Sequence, residues 1–230
     1  MTHLDLSFDH HFENRVALRW WPWVGSQYAR SSVRTLVLGE SIYAWTKMPQ
    51  EHQTFLDRYA KPDALRITHL NHALKFKRNS RYVRNIERAV LSASTPANDR
   101  KLAFWSSVTY HNLVLDPLKS LDHRPSQAQF RAGWEEVLEF AEPLAVKQIL
   151  VYGVSSADAL KEVAAQRQLP CKIAKIPQKI NNCIPRAGTL TTAAGDINLL
   201  FVLHPSRPFS WRKWSALIQE RLSLDGSSWV

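Results

Sequence analysis

The residues of this chain best suited to chemistry are His204, Glu40 with Ser41, and Asn112, and each closes or directly follows an apolar run. His204 ends Leu199-Leu200-Phe201-Val202-Leu203 and precedes Pro205 and Ser206. Glu40, Ser41 and Tyr43 follow Thr35-Leu36-Val37-Leu38-Gly39, and His111-Asn112 closes a run through Val108 and Tyr110. An imidazole exchanges a proton near neutral pH, a carboxylate beside a hydroxyl can hold a water, and a carboxamide offers a ligand both a donor and an acceptor. Groups of this kind at strand ends of an open α/β sheet stand where ligands bind.

The elements that must position them read as strand and helix in alternation. The apolar runs 35–39, 102–112, 148–153 and 199–203 predict buried strands. Helical spacing predicts helices near 51–59, over Tyr82, Ile86, Ala89 and Val90, and over Phe130, Trp134, Val137, Leu138 and Ala141 until Pro143. Two more are predicted from Ser155 or Ser156 to Ala165, and after a Ser210 cap over Trp211, Trp214, Ile218 and Leu222. Residues 68–80 carry no firm signal, and 170–192 read as edge strand or loop. The order implies a parallel sheet with helices on both faces. His111 neighbours Asn112 in a strand and so points to the other face, as a packing or hydrogen-bonding residue.

The chain has 230 residues, 45% of them hydrophobic, enough for one substantial core, so 1–230 is expected to form a single domain. Residues 1–32 form an extension rich in aromatics, with Trp20, Trp21, Trp23 and Tyr28 expected to pack over a core edge. No run of 18 apolar residues occurs and the N-terminus lacks a basic-then-apolar order, so a soluble, cytoplasmic protein without membrane association is expected. Cys171 and Cys183 are too few for a disulfide framework or a four-cysteine metal site. A net charge of +10 and a pI near 9.8 point to a polyanionic partner, with a solvated basic surface as the competing reading. The basic residues thicken at Lys75, Lys77, Arg78 and Arg81 and again at Arg207, Arg212 and Lys213, with aromatics interleaved. That mixture suits a nucleic-acid strand with exposed bases.

Four ordered blocks carry a resemblance: VLGESIY at 37–43, YHNLV at 110–114, RPSQAQF to ILVYG at 124–153, and LHPSRPFS at 203–210. Together they resemble the uracil-DNA glycosylase superfamily, most specifically in the HPS block after a buried strand. The resemblance implies a three-layer α/β/α sandwich with a central, mainly four-stranded parallel sheet of order 2-1-3-4. It implies a monofunctional DNA glycosylase acting as a monomer, which flips a base out of DNA and hydrolyses its N-glycosidic bond to leave an abasic site. Under it, His204 is a neutral hydrogen-bond donor to the leaving base, Asn112 reads the base edge, and Gly39 and Tyr43 lie at the base, Tyr43 as a wall. Uracil-specific members place an aspartate where this chain has Ser41, so Glu40 becomes the carboxylate for water, with Ser41 as a weaker aid. Ser206 is expected on a phosphate, Arg207 on phosphates or in the gap left by the base, and Phe209 as a wedge in the duplex or a staple onto the last helix. Lys75, Lys77, Arg78 and Arg81 extend the track on DNA or form a solvated face. Neither metal nor cofactor is implied, and two cysteines argue against an iron-sulfur cluster. The substrate is uracil or another modified pyrimidine, in base excision repair or in defence against phage DNA. The alternative is a DNA-binding protein that keeps the fold and hydrolyses weakly. A nucleotide-binding enzyme is disfavoured, because Gly39-Glu40-Ser41 is no glycine-rich phosphate loop.

Overall fold

Apolar runs without alternation are what strands covered on both faces require, and such runs form the middle of the sheet. The computed structural model describes residues 3–43, 49–77, 79–120 and 122–224. Its strands are β1 (Trp23–Val24), β2 (Thr35–Gly39), β3 (Thr109–Asn112), β4 (Gln148–Tyr152), β5 (Cys171–Lys175), β6 (Arg186–Thr192) and β7 (Gly195–Val202). Its helices are α1 (Pro49–Arg58), α2 (Ala64–His69), α3 (Arg81–Val90), α4 (Asn98–Ser107), α5 (Gln127–Ala141), α6 (Ala157–Gln166) and α7 (Trp211–Arg221). Among the described residues, one sheet of seven strands runs in the order β1-β3-β2-β4-β7-β6-β5. The pairs β3-β2, β2-β4 and β4-β7 are parallel, while β1, β6 and β5 add to the two sides antiparallel.

Alternation along the strands sorts their side chains into two cores. Val37, Tyr110, Leu150, Tyr152, Leu200 and Val202 face the layer that holds Ile86 of α3, Trp105 of α4 and Ile218 of α7. Leu36, Leu38, Ile149, Val151, Leu199 and Phe201 face Trp134 and Val137 of α5 and Leu160 and Val163 of α6. The same alternation sends His111 to the second layer, where its Nε2 lies 2.7 Å from the Trp20 carbonyl and its ring meets Phe140. Ser126 caps α5 by accepting from Gln129 N–H, and Gln129 reaches back to the Ser126 N–H, a reciprocal capping box. The aromatics of the N-terminal extension lie inside: Trp20 and Trp23 are fully buried and donate to the carbonyls of Tyr59 and Trp105. Among the described residues, no helix is long and apolar enough to cross a membrane.

Two expectations need correction, and one stretch without a sequence signal gains structure. Residues 102–107 are helical, not the opening of a strand: α4 ends at Ser107 and β3 begins only at Thr109. Leu102-Ala103-Phe104-Trp105 is a short apolar run without a β-branched residue, so local preference did not favour a strand, and burial of Phe104 and Trp105 against the first core is satisfied by a helix. The sheet is wider than a mainly four-stranded one, because 170–192 supply β5 and β6, which extend it antiparallel from β7. Within 68–80, α2 runs into a π-helical turn at Leu70–Leu74 that buries Leu70, Ala73 and Leu74.

α5 crosses the end of β3 at backbone contact. A Cβ built on Gly133 would stand 1.9 Å from the Leu113 carbonyl oxygen, next to Asn112, so only glycine permits this approach. Gly133→Ala is expected to destabilise the protein by about 2–3 kcal/mol, read as a lower urea midpoint with an unchanged slope.

Candidate active site

The ends of β2 and β3 are locked in register, with Gly39 opposite Asn112. The pairing continues past the sheet, as Leu113 N–H donates to Gly39 O at 2.8 Å, Val114 N–H to Glu40 O at 2.9 Å and Leu118 N–H to Ile42 O at 2.8 Å. Glu40 and Asn112 therefore emerge together at one edge. Asn112 is 3% exposed, and its Oδ1 accepts from the Tyr110 hydroxyl at 3.0 Å. The missing side chain of Gly39 makes room for polar groups: a Cβ there would lie 2.3 Å from Asn112 Oδ1, 2.5 Å from Tyr82 Oη and 3.2 Å from Tyr110 Oη.

Glu40 is seated by a second glycine. Gly153, just beyond β4, has φ +131°, and a Cβ on it would meet Glu40 Oε2 at 2.8 Å. Burial raises the Glu40 pKa, while the charge of Arg124, the hydroxyl of Tyr43 and the charge of Arg207 pull it back down. Burial thus favours proton uptake by the carboxylate, and the two cations oppose it. Ser41 Oγ is buried without a protein partner, a condition that costs free energy unless a ligand or water completes it.

His204 stands past the end of β7 in a loop held at several points. Asn85 of α3 donates to the Pro205 carbonyl at 2.7 Å, Arg207 N–H donates to His204 O at 3.0 Å, and Arg81 donates to Arg207 O at 3.4 Å. Asn181 Oδ1 accepts from Ser210 N–H at 2.8 Å and from the Trp214 indole at 3.1 Å. His204 Nδ1 lies 2.7 Å from Ser206 Oγ and receives the Ser206 N–H at 3.3 Å. A backbone N–H only donates, so Nδ1 is the acceptor and the ring proton of neutral His204 sits on Nε2. Burial, helped by the charges of Arg124 and Arg207, lowers the His204 pKa to about 4. At neutral pH the ring is a neutral Nε2–H donor. Two cations beside a neutral donor favour negative charge developing on whatever Nε2 touches.

These parts meet through Tyr82. Its ring lies 5.2 Å from the His204 ring and 6.2 Å from that of Tyr152, its hydroxyl lies beside that of Tyr110, and its environment includes the Glu40 charge. The structure thus brings together Gly39, Glu40, Asn112, His204 and Ser206, with Arg207 close enough to act on Glu40 and His204. Tyr43 pairs with Leu118 and packs its ring on the second core, with its hydroxyl toward Glu40. Phe209 is half-buried, stacked on Trp214 at 5.7 Å and 17°, so it serves here as a packing residue between the loop and α7. The exposed members of that loop are Ser206, Arg207 and Pro208, and Arg207 and Pro208 line a cleft of about 390 Å³ with Asn181, Asn182 and Leu203. Lys75, Lys77 and Arg81 are exposed, and Arg81 reaches the loop; Arg78 lies outside the described residues. Sequence reading missed Tyr82, Tyr110, Asn85 and Arg124. Arg124 opens a block already noted, whereas Tyr82 had been absorbed into the apolar stripe of its helix.

The tautomer is directly measurable. The ¹⁵N spectrum of the His204 ring is expected to show an Nε2–H tautomer at pH 7 and protonation only near pH 4, and Ser206→Ala is expected to weaken the tautomer preference. A ring that titrates near its ordinary 6.5 contradicts this electrostatic picture. Comparison of the chain with protein-family models gives no match, and a search among curated proteins gives none either.

Proposed function

We propose that this protein is a monofunctional DNA glycosylase that removes uracil or another modified pyrimidine from DNA and leaves an abasic site. The observation that carries the reading is the convergence of a neutral Nε2–H histidine, a buried carboxamide and a buried carboxylate at one edge of a parallel sheet, under two arginine charges. The succession of parallel strands β3-β2-β4-β7 supports it, since counted along the chain they fall second, first, third and fourth, the order the resemblance implies.

The chemistry follows from the charges. As the C1′–N bond breaks, both electrons leave on the base and positive charge grows on the sugar. His204 Nε2–H donates to a carbonyl of the departing base, and Arg124 and Arg207 stabilise its negative charge through space. Asn112, with Oδ1 engaged by Tyr110, turns its amide to the base edge. Glu40 stabilises the sugar cation, orients the water and takes its proton as the oxygen bonds to C1′. Ser206, Arg207, Lys75, Lys77 and Arg81 supply phosphate contacts, whose strength falls with salt.

The test is abasic-site formation, read as alkali-labile strand breaks, on oligonucleotides carrying uracil, hypoxanthine or modified cytosines. His204→Ala is expected to lower cleavage by about 10²-fold to 10³-fold while salt-sensitive binding persists. Asn112→Ala should do the same to cleavage. Binding without breakage for every base sinks the enzyme reading and favours a binding protein of this fold. Because the Glu40 pKa is raised from its ordinary value, the rate should fall as pH drops through it, and Glu40→Gln should lose that acid limb together with about 10²-fold or more of the rate.

A further inference from the structure

Between Asn112 and His204, where the proposed function seats a base, stands the side chain of Tyr82. Its ring faces His204 at 5.2 Å, inclined by 34°, and its hydroxyl reaches the space over Gly39 that it shares with Asn112 Oδ1. That hydroxyl is buried and lacks a well-formed hydrogen bond, as do the buried hydroxyls of Ser41, two residues beyond Gly39 in the chain, and of Tyr152, whose ring lies 6.2 Å from that of Tyr82. Buried polar groups are nearly always paired. A buried hydroxyl left without a well-formed partner beside Asn112 marks a place suited to polar atoms that the folded chain does not supply.

We infer that Tyr82 is the specificity-determining residue of the site, occupying the base position in the ligand-free protein. The inference rests on the proposed function in taking this edge as a base pocket. A phenol resembles a pyrimidine in the features that matter here. Both are single six-membered rings with one oxygen on the rim, and Tyr82 directs its oxygen at the Asn112 amide and its ring at His204. A base enters by displacing Tyr82, and the volume vacated is that of one six-membered ring. Pyrimidines fit that volume, and purines overfill it.

The position of Tyr82 in the chain makes displacement feasible. It is the second residue of α3, immediately after the exposed segment carrying Lys75 and Lys77 and beside Arg81, which reaches the histidine loop. Phosphates gripped by those cations pull on the backbone that carries Tyr82. Occupancy of the pocket by Tyr82 lowers the apparent affinity for a free base by the fraction of time the pocket is open.

The experiment is calorimetric titration of the full chain with free uracil, free thymine and free hypoxanthine. Tyr82→Ala is expected to bind free uracil about tenfold tighter than the unaltered protein, the gain set by removing an occupant that leaves the open form at the level of a minor state. Adding Asn112→Ala should erase the gain, and hypoxanthine should gain less than uracil. Tyr82→Leu, which keeps an apolar contact with Tyr152, replaces the alanine variant if the latter loses its thermal transition. A folded variant with no gain for either pyrimidine overturns the inference, as does an equal gain for hypoxanthine. Strand-break assays on the same proteins separate the two readings. Base binding gained at Tyr82 with no abasic site on any oligonucleotide refutes the glycosylase and leaves the pocket. Cleavage by the unaltered protein with no gain at Tyr82 does the reverse.

Discussion

Everything at the candidate site depends on the close pairing of two parallel strands at Gly39 and Asn112. Three polar atoms, from Asn112, Tyr82 and Tyr110, crowd the position a Gly39 side chain would fill. A methyl group there would drive Tyr82 outward and break the fit between the Asn112 amide and the Tyr110 hydroxyl. Gly153 plays the matching part for Glu40 across β4. Two residues without side chains, at neighbouring strand ends, let charged and polar side chains lie flat against the sheet edge rather than stand off it.

The histidine loop is held from the opposite direction. Asn85 and Arg81, both from α3, bind its backbone carbonyls, and Asn181 ties its far end to α7. α3 carries Tyr82 as well, so a single helix fixes the loop and fills the space beneath it. The electrostatics follow the same economy. Arg124 and Arg207 act on both Glu40 and His204, holding the carboxylate nearer its charged form and the imidazole in its neutral one.

The orphaned hydroxyls of Ser41, Tyr82 and Tyr152 contrast with the paired Trp134 and Tyr28 of the second core, where Trp134 donates to the Ser156 carbonyl and Tyr28 to that of Leu144. On the second face the unpartnered polar atom of the strand ends is His111 Nδ1, whose ring is held by the Trp20 carbonyl and Phe140. The other face holds polar groups at its rim that packing alone leaves incomplete, which is the usual mark of a site.

By itself the sequence determined the four parallel strands in outline, the helices α3, α5, α6 and α7, and the placing of Glu40, Asn112 and His204 at strand ends. Strands buried on both faces carry continuous apolar runs, and amphipathic helices carry a 3.6-residue stripe, so both signals are local. Local signals failed at 102–107, where four apolar residues suit either conformation, and at 170–192 they left edge strand and loop undecided because the segment alternates weakly and contains prolines. They also failed at Tyr82, Arg124 and Asn85, whose roles arise from contacts made across long stretches of chain. Tyr82 has the spacing of a core residue and is one along most of its ring. Only the folded arrangement of α3 over Gly39 and His204 decided that its hydroxyl end lies in the candidate site, because nothing within a helix's own period records what stands at its open end.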